Sequence, residues 1–188
     1  MKKSVIQKRT SQSITKDQEA ERITAAQRDP QAFGDLYDQY APSIYRYLLS
    51  RLGNVEEARD VTSQTFLTAV EVFPRYKHRG YFSTWLFSIA RSKYVDHLRR
   101  GKHGVEAIQE DQVDPQPDPL TRVVAAERVA ELKECIHTLA PEEQELLRLR
   151  YVADLSFAEM AELLEKSEDA VKKSVYRLLA RLQSRLEA

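Results

Sequence analysis

The segment RYKHRGYFSTWLFSIARSKYVDHLRRGKH, residues 75–103, combines basic and aromatic side chains more densely than any other part of the chain. The segment contains eight lysines and arginines and a single acid, Asp96. Its net charge is +7 in a chain whose formal charge is zero. Positive charge binds phosphate regardless of base sequence, and flat rings stack on unpaired bases. The segment therefore predicts a surface for single-stranded nucleic acid. Its aromatic residues are Tyr76, Tyr81, Phe82, Trp85, Phe87 and Tyr94.

A simpler interpretation of the same segment remains open at this point. Aromatic residues at helical spacing commonly pack inward, which leaves the basic residues on a solvated face with no partner. Both interpretations predict an amphipathic helix entered through a basic, aromatic-rich loop. They agree on the structure and differ only on its function.

The composition favours an all-α protein. Of the 188 residues, 42% are hydrophobic, 31% are charged and only five are glycine, which suits a folded, helix-rich chain better than a sheet. No apolar run approaches the roughly 18 residues that a membrane span needs. The basic N-terminus lacks the apolar core of a secretory signal. The single cysteine, Cys135, excludes an internal disulfide. A cytoplasmic protein is expected.

Charge is unevenly distributed along the chain, and the charged segments mark the boundaries between its predicted domains. Residues 1–16 carry a net charge of +5 without periodicity, which predicts a disordered basic tail. Residues 104–120 carry −5 and three prolines, so they predict an extended acidic linker that cannot form a core. We therefore expect two small helical domains, 17–101 and 119–188, joined by a flexible linker at 102–118.

The first domain is predicted to contain four helices. Asp29-Pro30 is a cap followed by the first helical residue, and Gly53-Asn54 ends one helix and caps the next. The third helix, about 55–72, has an outward polar stripe. Phe73-Pro74 ends it, and Ser83 is expected to cap the fourth.

The second domain is also predicted to contain four helices. Ser156 and Glu159 form a capping box, and Ser167 caps the last helix. The last two helices form a candidate helix-turn-helix, whose second helix could enter a DNA major groove. Its outward residues are Lys172, Lys173, Tyr176, Arg177 and Arg181.

Three motifs in this order resemble bacterial sigma factors of the extracytoplasmic-function type. They are EEARDVTSQTFLTAV at 56–70, FSTWLFSIARSKYVDHLRR at 82–100 and LAPEEQELLRLRYVADLSFAEMAELLEKSEDAVKKSVYRLLARL at 139–182. The resemblance covers about 17–187. It implies that the first domain is sigma region 2, that the second is sigma region 4, and that neither a cofactor nor a catalytic residue is involved.

The resemblance also implies which residues bind each partner. The surface for the clamp of the largest RNA polymerase subunit comprises Asp60, Ser63, Gln64, Thr65 and Leu67. The surface that opens and captures the −10 promoter strand comprises Lys77, His78, Arg79, Tyr81, Phe82, Ser83, Arg91, Lys93, Asp96, Arg99 and Arg100. The surface for −35 duplex, beside the flap of the second-largest subunit, comprises Ser167, Glu168, Asp169, Lys172, Lys173, Tyr176, Arg177 and Arg181. An anti-sigma factor is a further expected partner, and no membrane insertion is expected.

Two residues depart from the pattern of the family. Glu165 stands where glycine is common in the turn before the last helix, so a differently built turn is expected, since a left-handed residue other than glycine costs about 1 kcal/mol. Ser174 stands where arginine is common. These changes bear on the −35 sequence that is bound, not on the role of the helix.

Two other classes of function fit the sequence less well. A stand-alone helix-turn-helix regulator would need no polymerase-binding stripe and usually a dimer, but the chain has no sustained heptads. An enzyme is not expected. Cys135 and His137 lie two apart on a helix and so do not face each other, and the remaining histidines have no metal spacing.

Overall fold

A computed structural model of the chain describes residues 16–101 and 129–187. Within these ranges all regular structure is helical, and no residue lies in a β-strand. The prediction of an all-α protein is confirmed. The predicted basic tail, 1–16, lies outside the described residues except for Lys16, which begins the first helix. The predicted acidic linker at 102–118 lies entirely outside them.

The first described half, residues 16–101, contains four helices. Their bounds are α1 Lys16–Arg28, α2 Phe33–Leu52, α3 Val55–Val72 and α4 Phe82–Arg100. Gly53 ends α2 with a φ of 70°, which only glycine adopts without strain. The side chain of Asn54 then accepts hydrogen bonds from the backbone N–H groups of Glu56 and Glu57, as an N-cap does. This pair of residues sets the sharp turn that packs α3 against α2.

Two predicted caps differ from what the structure contains. Asp29 caps a short 3₁₀ turn, Pro30–Ala32, by accepting a hydrogen bond from the backbone N–H of Gln31 at 2.9 Å, and α2 begins after that turn. Ser83 does not cap α4, which begins one residue earlier at Phe82. Ser83 is buried, and its hydroxyl donates to the carboxylate of Glu159 in the other half of the chain. The prediction of this cap was wrong, because the side chain of Ser83 makes a tertiary contact with Glu159 instead.

The second described half, residues 129–187, contains the other four helices. Their bounds are α5 129–137, α6 Pro141–Leu147, α7 Phe157–Leu163 and α8 Glu168–Leu186. A π-helical turn, Arg148–Val152, continues α6. The predicted capping box is present: Ser156 and Glu159 exchange hydrogen bonds of 2.7 and 3.2 Å. Ser167 caps α8 by accepting a hydrogen bond from the backbone N–H of Ala170.

The turn between α7 and α8 is built on Glu165 itself. Glu165 has a φ of 54°, so a glutamate occupies the left-handed conformation that normally favours glycine. The backbone N–H of Lys166 donates to the carbonyl of Ala161 at 2.9 Å, which closes the end of α7. The expectation of a differently built turn was wrong, because the hydrogen-bonded end of the helix imposes the conformation on whichever residue stands there.

The two halves share one hydrophobic core. Fully buried residues of the first half, such as Ile44 and Leu86, belong to the same cluster as Leu149, Met160 and Val175 of the second. Helix α7 packs on α4, and the π-helical turn packs on α2. A smaller cluster, formed by Leu139, Leu178 and Leu182, joins α8 to the start of α6. The division into domains remains a prediction, but the halves are packed together.

Candidate nucleic-acid and polymerase interfaces

Helix α3 presents a polar outer face that we call the docking stripe, formed by Asp60, Ser63, Gln64 and Leu67. Asp60 and Ser63 are exposed, Gln64 is half-buried and Leu67 is 71% exposed. Among the large apolar side chains of the described residues, that of Leu67 is the most exposed. The register of the helix is fixed by the opposite face, where Val61, Phe66 and Ala69 enter the core.

Thr65 does not belong to the docking stripe, and its predicted role is corrected. Its side chain is completely buried, and its hydroxyl donates to the carbonyl of Val61 at 2.7 Å. Helical geometry places residues four apart on one face, so Thr65 follows Val61 and Ala69 into the core rather than following Gln64 outward.

The loop from Tyr76 to Tyr81, the capture loop, connects α3 to α4. The side chain of Gln27 holds its start by donating to the carbonyl oxygen of Tyr76 at 2.7 Å. The Tyr76 ring lies 4.4 Å from that of Trp85, and burial raises the pKa of the Tyr76 phenol to about 12. Lys77 and Arg79 are exposed beyond this aromatic support. The loop thus projects two cations from a rigid aromatic base.

The sequence left open whether the aromatic residues of the basic segment stack on bases or pack in the core, and the structure contains rings in both positions. Phe82 and Phe87 are fully buried, so Phe82 is a core residue and its predicted contact with DNA is corrected. Its ring packs against those of Tyr76 and Trp85 at 5.7 and 5.2 Å. Trp85 and Tyr81 keep part of their surface open. Most of these rings therefore pack beneath the loop, and only the partly open rings of Tyr81 and Trp85 can stack on a base.

Helix α4 exposes a cationic face toward its C-terminal end. Arg99 and Arg100 are exposed, while Arg91, Lys93 and Asp96 are half-buried. The guanidinium of Arg100 also reaches Oε1 of Gln64 at 3.5 Å, which links this face to the docking stripe. Cations in the last turn of a helix are favoured by the helix dipole and are well placed to contact phosphates.

Helix α8 presents most of its predicted DNA-binding residues to solvent. Lys173, Tyr176 and Arg177 are exposed, Tyr176 by 59%. Lys172 pairs with Glu168 at 2.9 Å, and this hydrogen bond raises the pKa of the lysine. Arg181 pairs with Glu143 of α6 at 2.5 Å. The remaining predicted residues, Ser167, Glu168 and Asp169, are exposed at the start of the helix.

A buried charge cluster between the two halves was not predicted. The carboxylate of Glu145, only 6% exposed, accepts hydrogen bonds from the Tyr47 hydroxyl at 2.8 Å and from the Arg51 guanidinium. The Arg91 guanidinium lies 3.7 Å from the same carboxylate. Burial raises the pKa of the Tyr47 phenol well above its ordinary value. One signal existed: Glu145 lies four residues before the buried Leu149 and so faces the core.

Two more carboxylates cross between the halves, from α7 to the capture loop and the start of α4. Glu159 accepts the hydroxyl hydrogen bond of Ser83 at 2.5 Å. Glu162 accepts a hydrogen bond from the backbone N–H of Tyr81 at 3.2 Å. The sequence indicated only the capping role of Glu159. In the described ranges, no cluster of three or more histidine, cysteine or acidic residues could hold a metal ion.

Two protein families match this chain. The Sigma-70 region 2 family matches residues 36–103, which run from α2 through α4. The Sigma-70 region 4 family matches residues 130–182, which run from α5 into α8. Their order along the chain is that of the two described halves.

Individual relatives carry the same family name. The chain is 35% identical over 166 residues to the extracytoplasmic-function sigma factor BldN of Streptomyces coelicolor, a match covering 86% of this chain and 62% of BldN. It is 30% identical to the RNA polymerase sigma factor YlaC of Bacillus subtilis, covering 79% of this chain and 87% of YlaC. The fold resembles that of Bartonella quintana RpoE, solved in complex with the anti-sigma factor NepR, with a TM-score of 0.61, 18% identity and coverage of 83% and 97%.

Proposed function

This chain belongs to the RNA polymerase sigma factors of the extracytoplasmic-function type, and we propose that it binds core RNA polymerase and directs initiation at specific promoters. One observation carries the proposal: each matched region exposes a basic helical surface, α4 in region 2 and α8 in region 4. A regulator acting through a helix-turn-helix alone would leave the region 2 match at 36–103 without a purpose.

Residues 77–100 bind the melted −10 strand. Lys77, Arg79, Arg99 and Arg100 are the exposed cations of this surface and contact phosphates, while the half-open Tyr81 and Trp85 offer rings to unstacked bases. Binding of this kind is not catalysis. Its free energy offsets the few kcal/mol that unstacking a base costs.

Helix α8 binds the −35 duplex. Lys173, Arg177 and Tyr176 project from the exposed face of the helix, and lysine or arginine can donate to guanine edges in the major groove. Lys172 and Arg181 are held by acidic neighbours and must exchange those partners for DNA. The exposed acids Glu168 and Asp169 at the helix start can accept from cytosine amino groups.

The docking stripe binds the clamp of the largest polymerase subunit. Asp60 and Gln64 supply polar contacts, and Leu67 supplies an apolar contact that is buried only in the complex. The second half lies beside the flap of the second-largest subunit. An anti-sigma factor is proposed as a further partner, because the similar RpoE fold was solved in complex with one.

We place the protein in the cytoplasm, where promoters and polymerase are found, and assign it no enzymatic activity. Its relatives are sigma factors, which select start sites without themselves catalysing RNA synthesis. None of the described helices is long and apolar enough to cross a bilayer.

Run-off transcription with purified core polymerase on a promoter library tests the proposal. We expect transcripts from a subset of templates that share −35 and −10 sequences, and none from core enzyme alone. If the chain joins core polymerase but selects no template, the proposed function is wrong.

A pull-down of core polymerase tests the docking stripe separately. The double variant Asp60→Ala plus Gln64→Ala should lose most of the captured polymerase. Asp38→Ala, which removes an exposed acid from α2, is the matched control and should retain it. Equal capture by both variants would remove the docking stripe from the proposal.

A further inference from the structure

Helix α7 covers the start of α4 and part of the capture loop. Ser83 and Thr84 of α4 are buried, and both carry hydroxyls that lie against Glu159. The carboxylate of Glu162 lies directly against Gly80, so that a Cβ at this position would displace it. The described surface of the loop is therefore closed at its junction with α4, on the side that meets the second half.

The groups that α7 occupies are hydrogen-bond donors. Glu162 accepts from the backbone N–H of Tyr81, and Glu159 accepts from the hydroxyl of Ser83. Phosphates and bases bind to such donors through acceptor oxygens, and a carboxylate offers the same type of atom and charge. While these carboxylates are in place, the donors are unavailable to a DNA strand.

The cations of the loop share a cleft with Glu162 and with Glu165, which lies in the turn after α7. Lys77, Arg79, Trp85, Glu162 and Glu165 line one cleft of about 270 Å³ between the capture loop and the end of α7. Two acids opposite two cations reduce the positive potential that would attract phosphate. Helix α7 and the turn after it thus place hydrogen-bond acceptors and negative charge against the capture loop.

The exposed face of α8 is not covered in the same arrangement. Lys173, Tyr176 and Arg177 are exposed, although α8 belongs to the same half of the chain as α7. The packing of the two halves consequently covers part of one predicted DNA-binding surface, at Ser83 and the Tyr81 N–H, and leaves the other open.

We propose that α7 is an autoinhibitory element, in which Glu159 and Glu162 take the place of the −10 strand on the capture loop of the free chain. A single strand and α7 compete for the same donors, whereas duplex can bind α8 without separating the halves. The inference rests on the proposed function of residues 77–100.

The variant Glu162→Arg tests the competition. It places a cation beside Lys77 and Arg79 and removes the acceptor of the Tyr81 N–H. Glu142→Arg is the control, since it makes the same charge change at an exposed position of α6. Binding of a fluorescent, short, random-sequence single strand is measured by anisotropy. If the open form is populated to about 10% or less, Glu162→Arg should bind at least about fivefold more tightly than Glu142→Arg.

Trp85 reports the separation of the halves independently of DNA. It is the only tryptophan of the chain and lines the cleft with Glu162. Its emission should shift to longer wavelength in Glu162→Arg and stay at the wild-type position in Glu142→Arg. Binding of a random-sequence duplex should be the same for both variants, because α8 is open in either case.

Each outcome decides the proposal. A Trp85 shift together with tighter single-strand binding supports it. Equal tightening in both variants, or tightening without a Trp85 shift, would reduce it to a charge effect. A Trp85 shift without tightening would mean that α7 does not compete, and each of these results overturns the proposal. Should Glu162→Arg fail to fold, Glu159→Gln plus Glu162→Gln replaces it, with Glu131→Gln plus Glu142→Gln as control, and the same outcomes apply.

Failure of this inference differs from failure of the proposed function. If the wild-type chain supports run-off transcription but the variants bind single strands equally, only the autoinhibitory role of α7 falls. If no transcription is obtained, the proposed function falls, whatever the oligonucleotide measurements give.

Discussion

At the scale of single residues, Glu165 is held in a conformation that its side chain disfavours. Its φ of 54° places Cβ against its own backbone, at a cost of about 1 kcal/mol relative to glycine. Glu165→Gly should therefore raise the free energy of unfolding by at most about 0.6 kcal/mol, because the greater flexibility of glycine in the unfolded chain offsets about 0.4–1 kcal/mol of the relieved strain. Urea denaturation measures it. Lys166→Gly, next in the chain and without a positive φ, should instead destabilise; a loss of stability in both would contradict the account.

Variants of Thr65 and Leu67 distinguish the effect of burial from the effect of polymerase binding on α3. Thr65 is fully buried and Leu67 is 71% exposed, although both were predicted to contact polymerase. Thr65→Val should leave polymerase capture unchanged and change stability by about 1 kcal/mol, because only one internal hydrogen bond is lost. Leu67→Asp should reduce capture without changing stability. Titrating core polymerase against each variant distinguishes the two residues, and reduced capture by Thr65→Val would restore it to the stripe.

At the scale of helices, the exposed end of α4 is expected to contribute phosphate contacts. Replacing Arg99 and Arg100 by alanine should weaken single-strand binding and lower the slope of log affinity against log salt by about 1.4, since each phosphate contact in a single strand contributes about 0.7. The helix itself should remain, because both side chains are exposed. Anisotropy titrations at several salt concentrations measure the slope, with Arg99→Lys plus Arg100→Lys as the charge-preserving control. An unchanged slope would exclude these two contacts.

The ion pair between Glu143 of α6 and Arg181 of α8 should weaken at acidic pH. The hydrogen bond from Arg181 is the main cause that lowers the pKa of the Glu143 carboxyl. A group whose folded pKa is lowered stabilises the fold above its unfolded pKa and loses that contribution as the pH falls through the folded value. The loss should be well below 1 kcal/mol because the pair is at the surface. Unfolding measured between neutral and acidic pH should show this component in the wild type and not in Glu143→Gln.

At the scale of the whole molecule, the shared core predicts cooperative unfolding. Because residues of both halves belong to one hydrophobic cluster, and Glu145 of the second half also binds Tyr47 of the first, calorimetry should give a single transition rather than two. Glu145→Ala leaves the guanidinium groups of Arg51 and Arg91 without their shared carboxylate and should cost about 3–5 kcal/mol, which would separate the transitions. Glu142→Ala, an exposed neighbour, is the control. Two transitions in the wild type would mean that the halves unfold independently.

Local sequence signals predicted the helices well because their causes are local. Asn54, Ser156 and Ser167 cap the helices that follow them, and the apolar spacing of α3 and α8 places Val61 and Val175 in the core. These features depend on residues within one or two turns of each other. The candidate surfaces followed from the same spacing, together with a family resemblance that supplied their partners. The individual members of each surface remain predictions, apart from the correction of Thr65 and Phe82.

The sequence by itself thus determined the helical class, the bounds of most helices and the segregation of charge, since each depends on short-range spacing and composition. Only the tertiary structure decided that the two halves share a core and that the Ser83 hydroxyl donates to Glu159 rather than capping α4. It also decided that Glu145 and Glu162 bind groups about 80 to 100 positions away in the chain. Such pairings depend on how whole helices pack, and one polar residue on a helix carries no mark of its distant partner.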